Sequence, residues 1–250
     1  LAIGEITIAN IDDVNISTDQ PIDPVPDQLW LDTSTVPNVL KRWGRWLEGE
    51  GALSFDGVGD YVEVDNSPFI NLTLNFTLEC WVSTSKDGYL MFKGTSSSDR
   101  QYAIYNYPSA NSISFYHNRE GASGYVRIDW LGEQLTDNKW THIAITVNGD
   151  RAELFKNGIS LGERTMTGKI VTTEGNLFIG KRPGGGLLTG NIFDVRIWNT
   201  VRTAKEIVDN MNTKLTGNEL GLVGYWPFDE GTGTTAHDLS GNGNHGEIHG

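Results

Sequence analysis

Apolar and polar residues alternate with a period of two along most of this chain from Ala52 onward. The stretches ALSFD, DYVEV, FTLECWVS, YLMFK, QYAIYNY, SISFYHN, YVRIDW, THIAITVN, AELFK, NLFIG and FDVRIW follow one another, separated by turn residues. That rhythm predicts short antiparallel strands, each with one face toward a core. Asn157-Gly158, between AELFK and ISLGE, predicts a tight type I′ hairpin, because both residues tolerate positive φ. One helix is marked by Thr203 and Glu206, spaced as a capping box, with Ile207 and Met211 one turn apart on one face. GYWPFDEG at 224–231 is too aromatic for a solvated tail and predicts a late strand beside ALSFD.

Ahead of this region the pattern changes. Residues 15–28 hold three of the chain's eight prolines and no periodicity, the composition of an extended linker. Two aromatic-bearing stretches then flank a Ser-Thr-Val-Pro-Asn turn and predict a small hairpin. The expected organisation is an N-terminal segment and linker over 1–27, a hairpin segment over 28–50 and one large all-β domain over 51–250. Leu1 is not a methionine and no signal-like segment follows it, which reads as a piece of a longer protein.

Composition narrows the function. With 250 residues and 38% hydrophobic content the chain can bury a large core, and its single cysteine, Cys80, excludes an internal disulfide. No apolar run approaches the roughly 20 residues of a membrane span. A net charge of −13 opposes nucleic-acid binding and suits calcium and neutral sugars better.

ALSFDGVGDYVEV, FTLECWV, KWTHIAITVNGDRAELFKNG, LFIGKRPGGGLLTGNIFDVRIWNTVRTAKEI and GLVGYWPFDEGTGTTAHDLSGNGNHG together resemble the laminin-G-like, pentraxin-like domains of concanavalin A type. That likeness implies an antiparallel β-sandwich, a jelly roll, with one short helix near its C-terminal end. It further implies a structural calcium held by Asp56, Gly57 and Asp194. The Gly/Asn-rich DLSGNGN turn would add Asp238 and Asn242, since calcium accepts six to eight oxygens, many from tight backbone turns. The alternative for that turn is local Asx-type hydrogen bonding. Separately, DQLWLDTSTVPNVLKRW resembles a segment of tail and tail-fibre proteins of bacteriophages that infect Gram-positive hosts. It implies a virion-tail or extracellular location, other tail domains as partners and a trimeric assembly.

A sugar site needs aromatic faces beside planar hydrogen-bonding groups. In YVRIDW, Val126, Ile128 and Trp130 share the inward side, so Tyr125, Arg127 and Asp129 point outward. Ile113 and Phe115 likewise turn Tyr116 and Asn118 outward. Tyr102 and Ile104 turn Gln101, Tyr105 and Tyr107 outward. These residues form a candidate site for a bacterial cell-surface polysaccharide; loops near Asp60 and at Gly184–Leu188 are the alternative. His142, beside core-facing Ile143 and Ile145, reads as a surface or packed neighbour. His117, His237, His245 and His249 read as residues in or beside loops, without zinc spacing. RPGGGLLTG lacks a Walker lysine. Neither a paired-carboxylate glycosidase strand nor a nucleophile elbow is present, so the expected class is a non-catalytic lectin-like module. A structural or adhesive module contacting protein partners is the rival.

Overall fold

The computed structural model describes residues 51–121 and 124–250, and the backbone of three short strands before them. The chain divides into two units, Leu1–Glu50 and Gly51–Gly250. In the first, β1 (Val14–Ser17) runs parallel to β2 (Leu29–Asp32), which pairs antiparallel with β3 (Val39–Arg42). Residues 15–17 thus belong to a strand rather than to a linker, because ladder hydrogen bonds do not require a period-two pattern. The rest of the expected linker lies outside the described residues.

The second unit contains β4 (Leu53–Asp56), β5 (Tyr61–Val64), β6 (Asn75–Thr84), β7 (Gly88–Gly94), β8 (Arg100–Tyr107), β9 (Ser112–Asn118) and β10 (Tyr125–Leu131). It continues with β11 (Thr141–Asn148), β12 (Arg151–Lys156), β13 (Ile159–Thr165), β14 (Leu177–Ile179) and β15 (Thr189–Trp198). The helix α1 (Ala204–Asn210), β16 (Leu222–Trp226), β17 (Thr235–Ala236) and β18 (Gly246–His249) complete it. The strands form two antiparallel sheets. One has the order β10-β9-β8-β7-β14-β5-β18-β17, the other β13-β12-β11-β6-β15-β16, with β4 also on β15. This is the expected sandwich with one short helix.

Alternation builds the core between them. Phe76, Leu78, Cys80 and Val82 of β6 and Ile143, Ile145 and Val147 of β11 meet Tyr102, Ile104, Ile113, Phe115, Ile128 and Trp130 of the larger sheet. Full burial of each large apolar side chain contributes about 1.5–3 kcal/mol. The Cys80 thiol is buried here, and burial pushes its pKa up, so it acts as a small apolar residue.

Local signals act where expected. Asn157 (φ 51°) and Gly158 (φ 77°) join β12 to β13, and a Cβ on Gly158 would come within 2.6 Å of Val208 Cγ2. Glycine is required there by both turn and helix. The capping box on α1 is complete, and Ile207 packs with Ala144 and Phe155 on the outer side of the smaller sheet. β16 differs from its expected place. It pairs with β15 opposite Val195–Trp198, while β4 pairs with the same strand opposite Thr189–Ile192, so the two lie in succession along one edge.

Candidate functional site

The outer face of the eight-stranded sheet carries a row of tyrosines. Ring centroids of Tyr89 and Tyr105 lie 4.4 Å apart, Tyr105 and Tyr107 5.1 Å, Tyr105 and Tyr116 6.5 Å, and Tyr116 and Tyr125 5.5 Å. Register explains the row: Tyr116 on β9 faces Arg127 on β10 and Ala103 on β8, while Tyr89 on β7 faces Tyr105 on β8. Edge-to-face packing of this kind orders the rings. Tyr125 remains 48% exposed, Tyr105 and Tyr107 are half-buried, and Tyr116 is buried. Burial pushes the phenols of Tyr105 and Tyr116 up to about 12, so both stay neutral hydrogen-bonding groups at physiological pH.

Two guanidinium groups sit among these rings. Arg127 Cζ is 4.7 Å from the Tyr107 centroid, and its Nε donates to Asp129 Oδ1 at 2.7 Å. The Ser114 hydroxyl donates to the same oxygen at 2.6 Å, so Asp129 orients the arginine. Arg100 Cζ lies 3.7 Å from the Tyr125 centroid. Sequence reasoning missed Arg100 and Tyr89. Period two from Tyr102 and Ile104 aims Arg100 inward, but the β7–β8 register shifts between Lys93 and Gly94, which pairs with Arg100. A second shift between Tyr89 and Met91 hides the parity of YLMFK.

Two residues expected on this face serve the framework. Asn118 is buried, and its Oδ1 accepts from Val171 N at 3.0 Å. Gln101 is buried too, donating to Leu72 O at 2.7 Å and accepting from Thr173 N at 3.4 Å. The glycine loop abuts the tyrosines: Gly186 O accepts from Tyr89 N at 3.1 Å, and a Cβ on Gly186 would lie 2.7 Å from the Tyr89 ring. Near Asp60 there is a cleft of ≈ 230 Å³ lined by Leu53, Phe55, Tyr61, Thr234 and His249. Tyr61 stacks on His249 at 4.3 Å there and carries the Lys181 ammonium 3.1 Å from its centroid.

The five residues assigned to calcium are not gathered at one point. Asp56 faces Thr189 on β15, and Asp194 lies five positions further along, roughly 16 Å at strand spacing. Asp56 Oδ1 accepts from Val58 N and Gly59 N, which close an Asx turn around Gly57 and hold the carboxyl below its usual range. Asp194 is buried against Arg196, with contacts of 2.5 Å and 3.1 Å. Asp238 Oδ1 accepts from Tyr225 N at 2.9 Å and Ser240 N at 2.8 Å, and its Oδ2 from Asn244 N at 2.9 Å. Asn242 and Asn244 donate to Val223 O. The closing turn therefore folds around a carboxylate and a neighbouring strand. Among the described residues no group of three or more His, Cys, Asp or Glu side chains is arranged to hold a metal ion.

Beneath α1, Arg196 is fully buried. It donates to Asn210 O and Thr213 O at 3.0 Å and 2.8 Å, and approaches Glu79 at 3.8 Å. Burial opposes ionisation of Glu79, and His142, Arg196 and Arg202 outweigh it, holding its pKa low. His142 is a buried neighbour, with Nε2 3.4 Å from Glu79. His117 and His249 lie near the ends of β9 and β18, beside loops, and His117 is fully buried.

A family profile described as the concanavalin A-like lectin/glucanases superfamily matches residues 56–208. The chain belongs to that superfamily. No curated protein matches it. Among solved structures, a provisionally assigned carbohydrate-binding protein of Bacteroides ovatus ATCC 8483 is 17% identical, with a TM-score of 0.58 over 80% of this chain. The chain spans only 58% of that protein's length. Domain 4 of AbnA, a GH43 extracellular arabinanase of Geobacillus stearothermophilus solved with arabinotriose, is 16% identical at 0.50, over 63% of this chain and 75% of the domain. Domains LG4-5 of the mouse laminin alpha1 chain are 17% identical at 0.48, over 63% and 43%. At these identities the Bacteroides and AbnA structures establish the shared fold. No helix among the described residues is long and apolar enough to cross a membrane.

Proposed function

We propose that this chain is a non-catalytic carbohydrate-binding module whose site is the tyrosine face, with Tyr105, Tyr107, Tyr116, Tyr125, Arg127 and Asp129 as its principal residues. The observation that carries the reading is the half-exposed Tyr125 ring, braced on one guanidinium and continued by Tyr107 with another. A pyranose presents a C–H patch rimmed by hydroxyls, and such a row offers ring faces with N–H and O–H groups beside them. Asp129 is committed to Arg127 and Ser114, which favours binding over acid catalysis. The Bacteroides and arabinanase-domain structures support the reading through the fold they share with this chain. The likeness of residues 27–43 to phage tail segments supports a use in attaching a tail to a bacterial envelope glycan. Several modules together would then raise avidity by roughly 10² to 10⁴. The test is decoration of bacterial cells and a glycan array by the labelled full chain. Tyr125→Ala and Tyr107→Ala should each reduce binding while the fold survives. Binding to protein partners with no glycan bound would favour the adhesive-module reading instead.

A further inference from the structure

A buried cation on the tyrosine face bears on the charge of the ligand, an inference that rests on the sugar-binding reading above. Arg100 is 4% exposed. Its Cζ lies 3.7 Å from the Tyr125 centroid, 4.8 Å from Tyr116 and 5.8 Å from Phe92. Nη1 donates to the Tyr89 hydroxyl at 3.2 Å, Nη2 donates to Ser97 O, and Nε is buried with no partner. Among the described residues, none of these partners is a carboxylate.

A desolvated charge without a counter-charge is costly, and ring contacts recover only part of that cost. The chain has 32 acidic residues against 19 basic, so an acidic partner was readily available. Arg196, likewise buried, has two of them. Among the described residues no such charge meets Arg100, which lies beneath the half-exposed Tyr125 ring. Arg127 adds to the same field. Its Nε is held by Asp129, which leaves other N–H groups of the guanidinium on a side chain 32% exposed.

We infer that the tyrosine face takes an anionic saccharide, one bearing carboxylate or phosphate groups, with Arg100 as the principal anchor and Arg127 as the outer one. A sugar ring on Tyr125 sits on the aromatic plane that Arg100 contacts. An acidic substituent at the ring edge then lies beside the Arg100 guanidinium, whose Nε has no partner. The net charge of −13 does not forbid this, because exposed charges beyond about 8 Å are largely screened at physiological salt while a contact within the site is not.

The experiment measures binding of the full chain at 0.15 M salt to polygalacturonate, to the same polymer fully methyl-esterified, and to poly(glycerol phosphate). The two galacturonan forms share one sugar and differ in charge; poly(glycerol phosphate) separates phosphate from carboxylate recognition. At least one polyanion should bind tenfold or more tightly than the ester. Arg100→Gln should abolish that margin, and Arg100→Lys should keep part of it. Binding of both polyanions no tighter than the ester overturns the inference while leaving sugar binding intact, and so does a folded Arg100→Gln variant that retains the margin. If neither polyanion binds, the inference falls, and decoration of whole cells then decides whether the sugar-binding reading survives. The comparison of acid with ester on the unaltered chain holds even if every Arg100 variant misfolds.

Discussion

The two outer faces of the sandwich each hold a buried arginine, and they treat it in opposite ways. Under α1, Arg196 is met by Asp194, Glu79 and the carbonyls of Asn210 and Thr213, so its charge and most of its N–H groups are spent. On the tyrosine face, Arg100 has rings, one phenol and one carbonyl. The first arrangement fastens the segment after the helix to the sheet. The second leaves charge unneutralised among rings, which is poor economy for stability and useful for recognition.

The largest effect expected from this contrast is on stability. Arg196→Met leaves two carboxylates buried without their partner and should cost about 3–5 kcal/mol in urea denaturation. Arg100→Met leaves no carboxylate behind and should cost about 1–2 kcal/mol, the worth of its ring contacts. Equal losses would break the comparison. Asp238→Ala should follow at about 2–3 kcal/mol, because it orphans the buried N–H groups of Tyr225 and Asn244 and frees the turn.

A third buried cation sharpens the comparison. Lys93 donates to Asn66 Oδ1 at 2.7 Å and to Gly175 O, and burial lowers its pKa to about 8, against the pull of Glu174 and Asp99. Below pH 8 the folded chain must carry a costly buried charge. Between about 8 and the ordinary 10.5 the unfolded chain binds more protons than the folded one, so this group's contribution to stability rises with pH. The gain should be about 1–3 kcal/mol relative to Lys93→Met, and the Nζ resonance should titrate near pH 8. A flat difference between the two proteins would show that Lys93 is solvated.

Smaller still is the expected effect of Tyr125→Ala: about fivefold in glycan affinity, near 1 kcal/mol, with little change in melting. The smallest is chelation. Saturating calcium at 100 times its dissociation constant would add about 2.7 kcal/mol, and removing it would lower Tm by several degrees. With Asp194 and Asp238 already committed to protein donors, EGTA should leave Tm unchanged, and a clear drop would show a bound calcium.

Period-two alternation made the strands of the sandwich legible, and with them the outward placement of Tyr105, Tyr107, Tyr116, Tyr125, Arg127 and Asp129. Where a bulge resets the parity, as between β7 and β8, the pattern misplaced Gln101 and concealed Arg100. β18 escaped notice because four residues starting at Gly246 offer Ile248 as their only aliphatic side chain. The DLSGNGN turn was ambiguous for a chemical reason: an aspartate wrapped in glycine and asparagine can serve backbone N–H groups or a cation, and composition does not distinguish them. The tail-like segment at 27–43 is legible only as a resemblance, and just two of its strands are described.

The place of β18 also puts a clock on biosynthesis. Val64 of β5 pairs with Gly246, and β18 sits between β5 and β17. At about 5–20 residues per second, a ribosome needs roughly 10 to 40 seconds to traverse the chain between those partners. Throughout that interval one side of β5 has no strand to close it, and an open edge invites pairing with other nascent chains. Slowing elongation after residue 200 should therefore increase the insoluble fraction, and a chaperone that shields strand edges should recover it.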